Sequence, residues 1–405
     1  MLLPLFSLLL AVAGPGAQCD AQRTYASVRE TMSGARWNGI AEIVASGTVT
    51  TSGLQGTFAR ATDLTNGRSA LRMTVDGQQT ANVYNGTTNW QQDYSRGIHP
   101  LDSPNARAAA VAAAYLDRNG PWASAAGATI ECLGTRTEGG RTFAAFKITP
   151  PGGTPVEQWI DITTHLVDRT IAETPTSTEI TTFANYRNVQ GVLVPFRVQT
   201  ETVGDPTSVT VFSTQSVELR PQARDEDFRR PADPTDTRIL GTSDTVTMPI
   251  SIEGGDVIVN AYVNGKGPFP FILDTGGHAI LTPEAARAIG LETEGAGSSG
   301  GGGSGRVGLA YTHVDSLRIG DAEIPNQPFL VIPYDNDFSD RGSKPPLAGI
   351  LGLELFERFA IRIDYAGSKL TLTPLATFQY AGSGTRAPIV FQEDEPLTNA
   401  AADDA

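Results

Sequence analysis

The stretch Phe271-Ile272-Leu273-Asp274-Thr275-Gly276-Gly277 constrains this chain more than any other. Three apolar residues carry one carboxylate into a glycine turn. A carboxylate that ends a buried strand must be hydrogen-bonded, paired with another charge or kept partly protonated, because an isolated buried one is too costly. Such a placement points to use rather than to packing. Residues 257–263 alternate as a strand, Asn264-Gly265 suits a tight turn, and the chain returns through Pro268 and Phe271 to end at Asp274. A hairpin therefore aims the acid.

After the turn, Thr282, Pro283 and Gly290 supply the cap, first helical position and stop of a short helix. Residues 295–305 are glycine and serine with a single alanine and cannot pack a core. This segment reads either as a plain flexible loop or as a flap over a substrate. Strands are predicted at 314–319 and 329–332, then an apolar run containing Ile350-Leu351-Gly352, then strands at 359–365 and 369–372.

The first half follows different rules. Forty-three glycines and 26 prolines in 405 residues predict many turns and short strands, and the length predicts two domains with a connector. A helix over 25–37 would bury Tyr25, Val28, Met32 and Ala35 on one face. Thr- and Val-rich strands follow, turning at Asp63–Gly67 and Asn85-Gly86. Ser103-Pro104 opens a second helix over 105–119. Strands resume at 158–161 and at 182–196, the latter a hairpin bent at Gln190-Gly191. Trp90 and Trp122 read as core or rim. Residues 221–244, rich in charge and proline, read as a linker whose charges are solvated.

The amino terminus carries an apolar run over 2–13 that ends in a small-x-small pattern, too short to span a bilayer. It reads as a secretory signal in preference to a buried segment, which implies a periplasmic or secreted protein. Gly16-Ala17-Gln18 before Cys19 is a poor lipobox, so cleavage without a lipid anchor is expected. Cys19 and Cys132 could bridge in an oxidising compartment. His99, His165, His278 and His313 show no metal-ligand spacing, and neither a metal nor a cofactor is expected. The formal charge of −14 argues against a nucleic-acid partner.

Two resemblances follow from these residues. A helix followed by a meander, Trp159-Ile160-Asp161, and the hairpin from Asn185-Tyr186-Arg187 to Pro195-Phe196 resemble the periplasmic lipoprotein-carrier (LolA-like) family. The resemblance implies an incomplete antiparallel barrel, with either a filled interior or a cavity for a lipid. Asp-Thr-Gly at the end of an apolar strand, with Ile350-Leu351-Gly352 about 75 residues later, resembles the retropepsin-like and pepsin-like aspartic proteases over residues 246–374. It implies a closed β lobe with the 350–352 strand beside the Asp274 turn. It further implies that Asp274 activates water, that Thr275 and Gly276 support the active-site turn, and that Thr275 locks two lobes together. Gly277 departs from the Ser, Thr or Ala usual after the motif, where a hydroxyl would help orient the carboxylate.

The expected fold is mainly β, divided as signal peptide 1–21, carrier-like half-barrel 22–222, linker 223–245, protease lobe 246–376 and tail 377–405. The expected activity is hydrolysis of peptide bonds in a peptide or protein substrate. That chemistry needs two carboxylates sharing a proton, and only one Asp-Thr-Gly is present. The second would come from a homodimer partner or a second lobe. Pro388-Ile389 and Asn399-Ala400 repeat Pro249-Ile250 and Asn260-Ala261 at an offset of 139 (388 − 249 and 399 − 260), which would make the tail the start of a truncated second lobe with an aspartate near position 413. A chance match of short strands is the other reading. The rival function is a noncatalytic envelope protein that binds lipid or peptide.

Overall fold

The computed structural model of the protein describes residues 20–122, 127–174, 177–300, 306–334 and 341–400. The fold is mainly β. Residues 1–19, with the apolar run and Cys19, and the tip of the glycine segment at 301–305 lie outside the described residues.

The first half is one open antiparallel sheet of thirteen strands. Its order runs outward from the pairing of Glu42–Thr51 with Asp205–Arg220, to Ile98–Pro100 at one end and Thr129–Glu138 at the other. The turns are those that the sequence predicts. Asp63 accepts from the backbone N–H of Thr65 and Asn66, and Gln190-Gly191, both at positive φ, join Val189 to Val192. Ser103 caps the helix Pro104–Asp117 by accepting from the Ala106 N–H at 3.1 Å.

The amino-terminal helix departs from its expected form. It runs Ala21–Thr31, breaks at Ser33, which sits at φ 62°, and resumes as Gly34–Trp37. Tyr25, Val28 and Met32 are buried as predicted, but Ala35 is exposed, because the left-handed residue rotates the second piece so that Trp37 faces inward instead. Trp37 and Trp122 meet edge to face at 5.9 Å in the core, while Trp90 is half-buried under the Arg230 guanidinium.

The connector is not a string of solvated charges. Phe228 is buried against Ala61, Ala70 and Val83 of the first sheet. Asp225 pairs with Arg68, Asp227 with Arg220, and Asp236 with both Arg96 and Arg358. Arg220 ends the Asp205–Arg220 strand, and Arg68, Arg96 and Arg358 sit in the short turns between elements, so the segment is stitched down where composition alone reads as free chain.

The second half closes on itself. Asp256–Val263 pairs with Lys266–Leu273 and with Arg306–Ile319; the latter pairs with Ala322–Val331, which returns through Ile280–Leu281 and Gly349–Leu351 to Lys266–Leu273. Val259, Ala261, Val263, Phe271, Leu281 and Leu351 fill its interior, and the small sheet Val246–Pro249, Phe359–Asp364 and Lys369–Pro374 packs on the same core. The glycine segment is partly a strand, Glu294–Gly300, paired to Arg306–Ile319. It leans on the first sheet, where the Ala296 N–H donates to the Ser52 carbonyl at 2.9 Å and Ser298 donates to Asp205 at 2.7 Å.

Candidate active site

Asn264 and Gly265, both at positive φ, make the two-residue turn that sends Lys266–Leu273 back toward Asp274. At its end the strand runs parallel to Gly349–Leu351, pairing Ile272 with Ile350 and Leu273 with Leu351. The Asp274 N–H donates to the Leu351 carbonyl at 3.0 Å, which fixes the backbone at the acid. The Gly276 N–H donates to Asp274 Oδ1 at 2.9 Å and steadies the carboxylate within its own turn. Asp274 is half-buried, while Thr275 and Gly276 are exposed.

Gly352 is required by close approach. A Cβ there would stand 2.6 Å from the Gly277 carbonyl carbon and 3.1 Å from His278 Cα, nearer still to the Gly277 oxygen. That oxygen accepts from the Leu353 N–H at 2.8 Å, so the two glycine turns are joined back to back. Among the described residues, Gly277 itself has open space around its Cβ position. Nothing in the packing demands a glycine there. Tyr334 was not singled out by sequence; burial, followed by the charge of Asp274, pushes its phenol pKa up, which places the ring near the acid.

Behind the turn lies a buried polar cluster that sequence reasoning also missed, because its members come from distant segments. His278 Nδ1 meets Glu354 Oε1 at 3.0 Å, and the same oxygen accepts from the Ala279 N–H at 2.8 Å. His278 Nε2 faces Asp394 Oδ2 at 3.0 Å, and Tyr94 of the first half packs on the imidazole at 4.5 Å. Desolvation lowers the His278 pKa, but Asp394 and Glu354 outweigh it and push the value up to about 11. His99 behaves alike, pushed up to about 9 by Asp394 and Glu357 against its burial.

Asp394 belongs to the tail hairpin, Val390–Gln392 with Glu395–Leu397. This hairpin reproduces the register of the hairpin that opens the lobe. Ser251↔Ile258, Ile252↔Val257 and Glu253↔Asp256 become Val390↔Leu397, Phe391↔Pro396 and Gln392↔Glu395, each position shifted by 139 (390 − 251, 397 − 258). The tail docks on the first half, where Phe391 stacks on His99 and its N–H donates to Asp102 at 2.8 Å.

The strand, the paired glycine turn and the single carboxylate are the setting in which comparison with known proteins has meaning. Residues 259–355 match the aspartyl protease family. The aspartyl protease match spans both the Asp274 turn and the Ile350-Leu351-Gly352 strand and leaves the first half outside it. Over that first half, similar solved structures include a LolA superfamily protein from Nitrosomonas europaea, 15% identical over 51% of this chain and 97% of that one, TM-score 0.35. Another is a DUF1329 family protein from Desulfovibrio piger, 12% identical over 52% and 97%, TM-score 0.36. No curated protein matches the chain. The matched segment 259–355 contains Asp274, Thr275, Gly276, Ile350, Leu351 and Gly352, the residues that the sequence motifs single out.

Proposed function

We propose that this protein is an aspartic peptidase in which Asp274 supplies one of the two catalytic carboxylates. The observation that carries the reading is the strand ending in Asp274, hydrogen-bonded through its N–H to Leu351 inside a segment that matches aspartyl proteases. One carboxylate of the pair, ionised, takes a proton from water; the other, protonated, polarises the amide carbonyl; the water attacks and the tetrahedral intermediate collapses with the proton passed to the leaving amine. No covalent enzyme intermediate forms. Asp274 alone cannot hold both protonation states.

The exposed Thr275 offers the contact through which an opposing turn would be locked. That turn belongs either to a second copy of the chain or to a second lobe of which the tail hairpin, in register with the first at every pair, is the opening element. The Glu294–Gly300 strand and its partner would supply the flap arm over an extended peptide once released from Ser52 and Asp205. An apolar amino-terminal run and a disulfide-bonded Cys132 favour an extracytoplasmic location. No helix among the described residues is long and apolar enough to cross a membrane.

The test is cleavage of casein and of a mixed peptide library from acidic to neutral pH. Asp274→Asn should lower turnover by about a thousandfold or more while leaving the circular dichroism spectrum unchanged. Retained cleavage in that variant excludes this site. A rate that rises with the square of chain concentration identifies a dimer as the source of the second acid.

A second reading rests on a different observation. The first sheet and the amino-terminal helices line a partly open pocket of about 210 Å³, with Val28, Met32, Trp37, Phe58, Phe183 and Phe212 among its walls. An apolar chamber of this kind suits an acyl chain, and the protein would then be a noncatalytic envelope binder of lipid or peptide. Solvent extraction of the purified protein and displacement of a fluorescent fatty acid test it. Ala45→Trp, which fills the chamber, should abolish displacement.

A further inference from the structure

Between the first half and the lobe, carboxylate oxygens outnumber the donors available to them. Asp93 is 4% exposed; its Oδ1 accepts from the Gly97 N–H at 3.0 Å, and its Oδ2 receives no hydrogen bond from an N–H or hydroxyl among the described residues. Glu357, whose side chain is 5% exposed, sets Oε1 at 2.8 Å from His99 Nδ1 and leaves Oε2 equally without an N–H or hydroxyl donor among the described residues. Two buried carboxylates that face each other beside one imidazole are costly unless a proton or a cation lies between them.

We infer that Asp93, His99 and Glu357 form a binding site for one divalent first-row cation of the Zn²⁺ or Mn²⁺ type, which clamps the first half of the chain to the lobe. One ligand atom from each of the three lies within 4.8 Å of the others. Bonds of about 2.0–2.2 Å from an ion to such atoms would place neighbouring tetrahedral ligands about 3.3–3.6 Å apart, so the three must close in by no more than about 1.5 Å. One imidazole and two carboxylates suit Zn²⁺ or Mn²⁺ better than an ion that seeks thiolates.

The surroundings fit a metal histidine. His99 Nε2 faces the Glu393 carbonyl at 3.1 Å and Asp394 Oδ1 at 3.4 Å, the outer partner that orients a ligating imidazole and leaves Nδ1 for the ion. The ion then takes the place of the Nδ1 proton. Around the site four carboxylates (Asp93, Glu354, Glu357, Asp394) stand against two imidazoles, and Arg358 is already engaged by Asp236. A divalent ion that displaces the His99 Nδ1 proton adds one net positive charge against that excess. Gly97 keeps the room: a Cβ there would fall on the Glu357 carboxylate. Histidine spacing could not reveal the site, because Glu357 lies 258 positions from His99.

The experiment uses the full chain stripped with EDTA and titrated with MnCl₂, following loss of the free Mn²⁺ electron paramagnetic resonance signal, and with ZnCl₂ by calorimetry. One ion per chain is expected, together with a higher melting temperature. Asp93→Asn and Glu357→Gln should each weaken binding at least tenfold, and Asp394→Asn should weaken it by about 10–100-fold through the histidine. Gly97→Ala, which displaces Glu357 without removing a ligand, should also weaken it. If the folded wild-type chain binds no ion up to millimolar concentration, or if binding survives both Asp93→Asn and Glu357→Gln, the site is excluded. An infrared band from a protonated carboxylic acid that persists in saturating Mn²⁺ and disappears in Asp93→Asn would equally overturn it.

Discussion

Replacing Gly352 with alanine tests whether the back-to-back glycine turns hold Asp274 in place. A Cβ at this position would lie 2.6 Å from the Gly277 carbonyl carbon and 3.1 Å from His278 Cα, where neither neighbour is a side chain that could swing away. Overpacking of a core costs about 1–3 kcal/mol, and a clash with backbone on this scale belongs at the top of that range. Parting the turns would also stretch two hydrogen bonds, Leu353 N–H to Gly277 and Asp274 N–H to Leu351, each worth about 1 kcal/mol. The expected loss is therefore about 3–5 kcal/mol. Gly277→Ala is the control, since its Cβ would meet nothing within 4 Å, and its cost should stay within about 0.5 kcal/mol. All four tryptophans, Trp37, Trp90, Trp122 and Trp159, lie in the first half, so their fluorescence cannot report on the lobe. Native-state hydrogen exchange at the Asp274 and Leu353 amides in increasing urea can. Equal protection in the two variants, or a Gly352→Ala loss below 0.5 kcal/mol, would refute the reasoning.

Three other outcomes follow from the same geometry. Gly277→Ser places a hydroxyl in open space beside the turn and should raise peptidase turnover severalfold without loss of stability; a fall in turnover measured at equal protein concentration would show that the space serves another purpose. His278 has a folded pKa of about 11 against about 6.5 unfolded, so its contribution to stability is complete below pH 6.5 and declines as pH rises toward 11, by at most about 1.4 kcal/mol per pH unit. Urea midpoints measured from pH 6 to 10 should fall in the wild type and fall less in His278→Gln; parallel slopes would contradict the assignment. Arg358→Met removes the buried donor to Asp236, to the Ser95 carbonyl and to the Glu354 carbonyl, leaving Asp236 partly unpaired at a cost of about 3–5 kcal/mol. Trypsin should then cut faster after Arg229, and an unchanged rate would mean that the connector is held by other contacts.

Local chemistry made much of this protein legible before its structure. Asn264-Gly265, Gln190-Gly191, the Ser103 cap and the Thr282-Pro283 to Gly290 helix all act within a few residues, and each lies where its sequence signal places it. The lobe's apolar strands and the Asp-Thr-Gly turn were readable for the same reason, and the parallel seating of Ile350-Leu351 beside Asp274 agrees with the resemblance that those motifs carry. Ala35 was misplaced because one residue, Ser33, adopts a left-handed conformation that periodicity does not register.

What the sequence determined by itself was the set of turns, caps and strands, together with the delivery of one carboxylate to a glycine bend, since these depend on backbone preferences and on neighbours in the chain. Only the tertiary structure decided which charges meet. Asp236 finds Arg96 and Arg358, Asp394 finds His99 and His278, and Asp93 finds Glu357, all across long chain separations. Coulomb forces and desolvation act through space, so the fate of a buried charge is set by what the fold brings beside it, and no pattern along the chain encodes that neighbour.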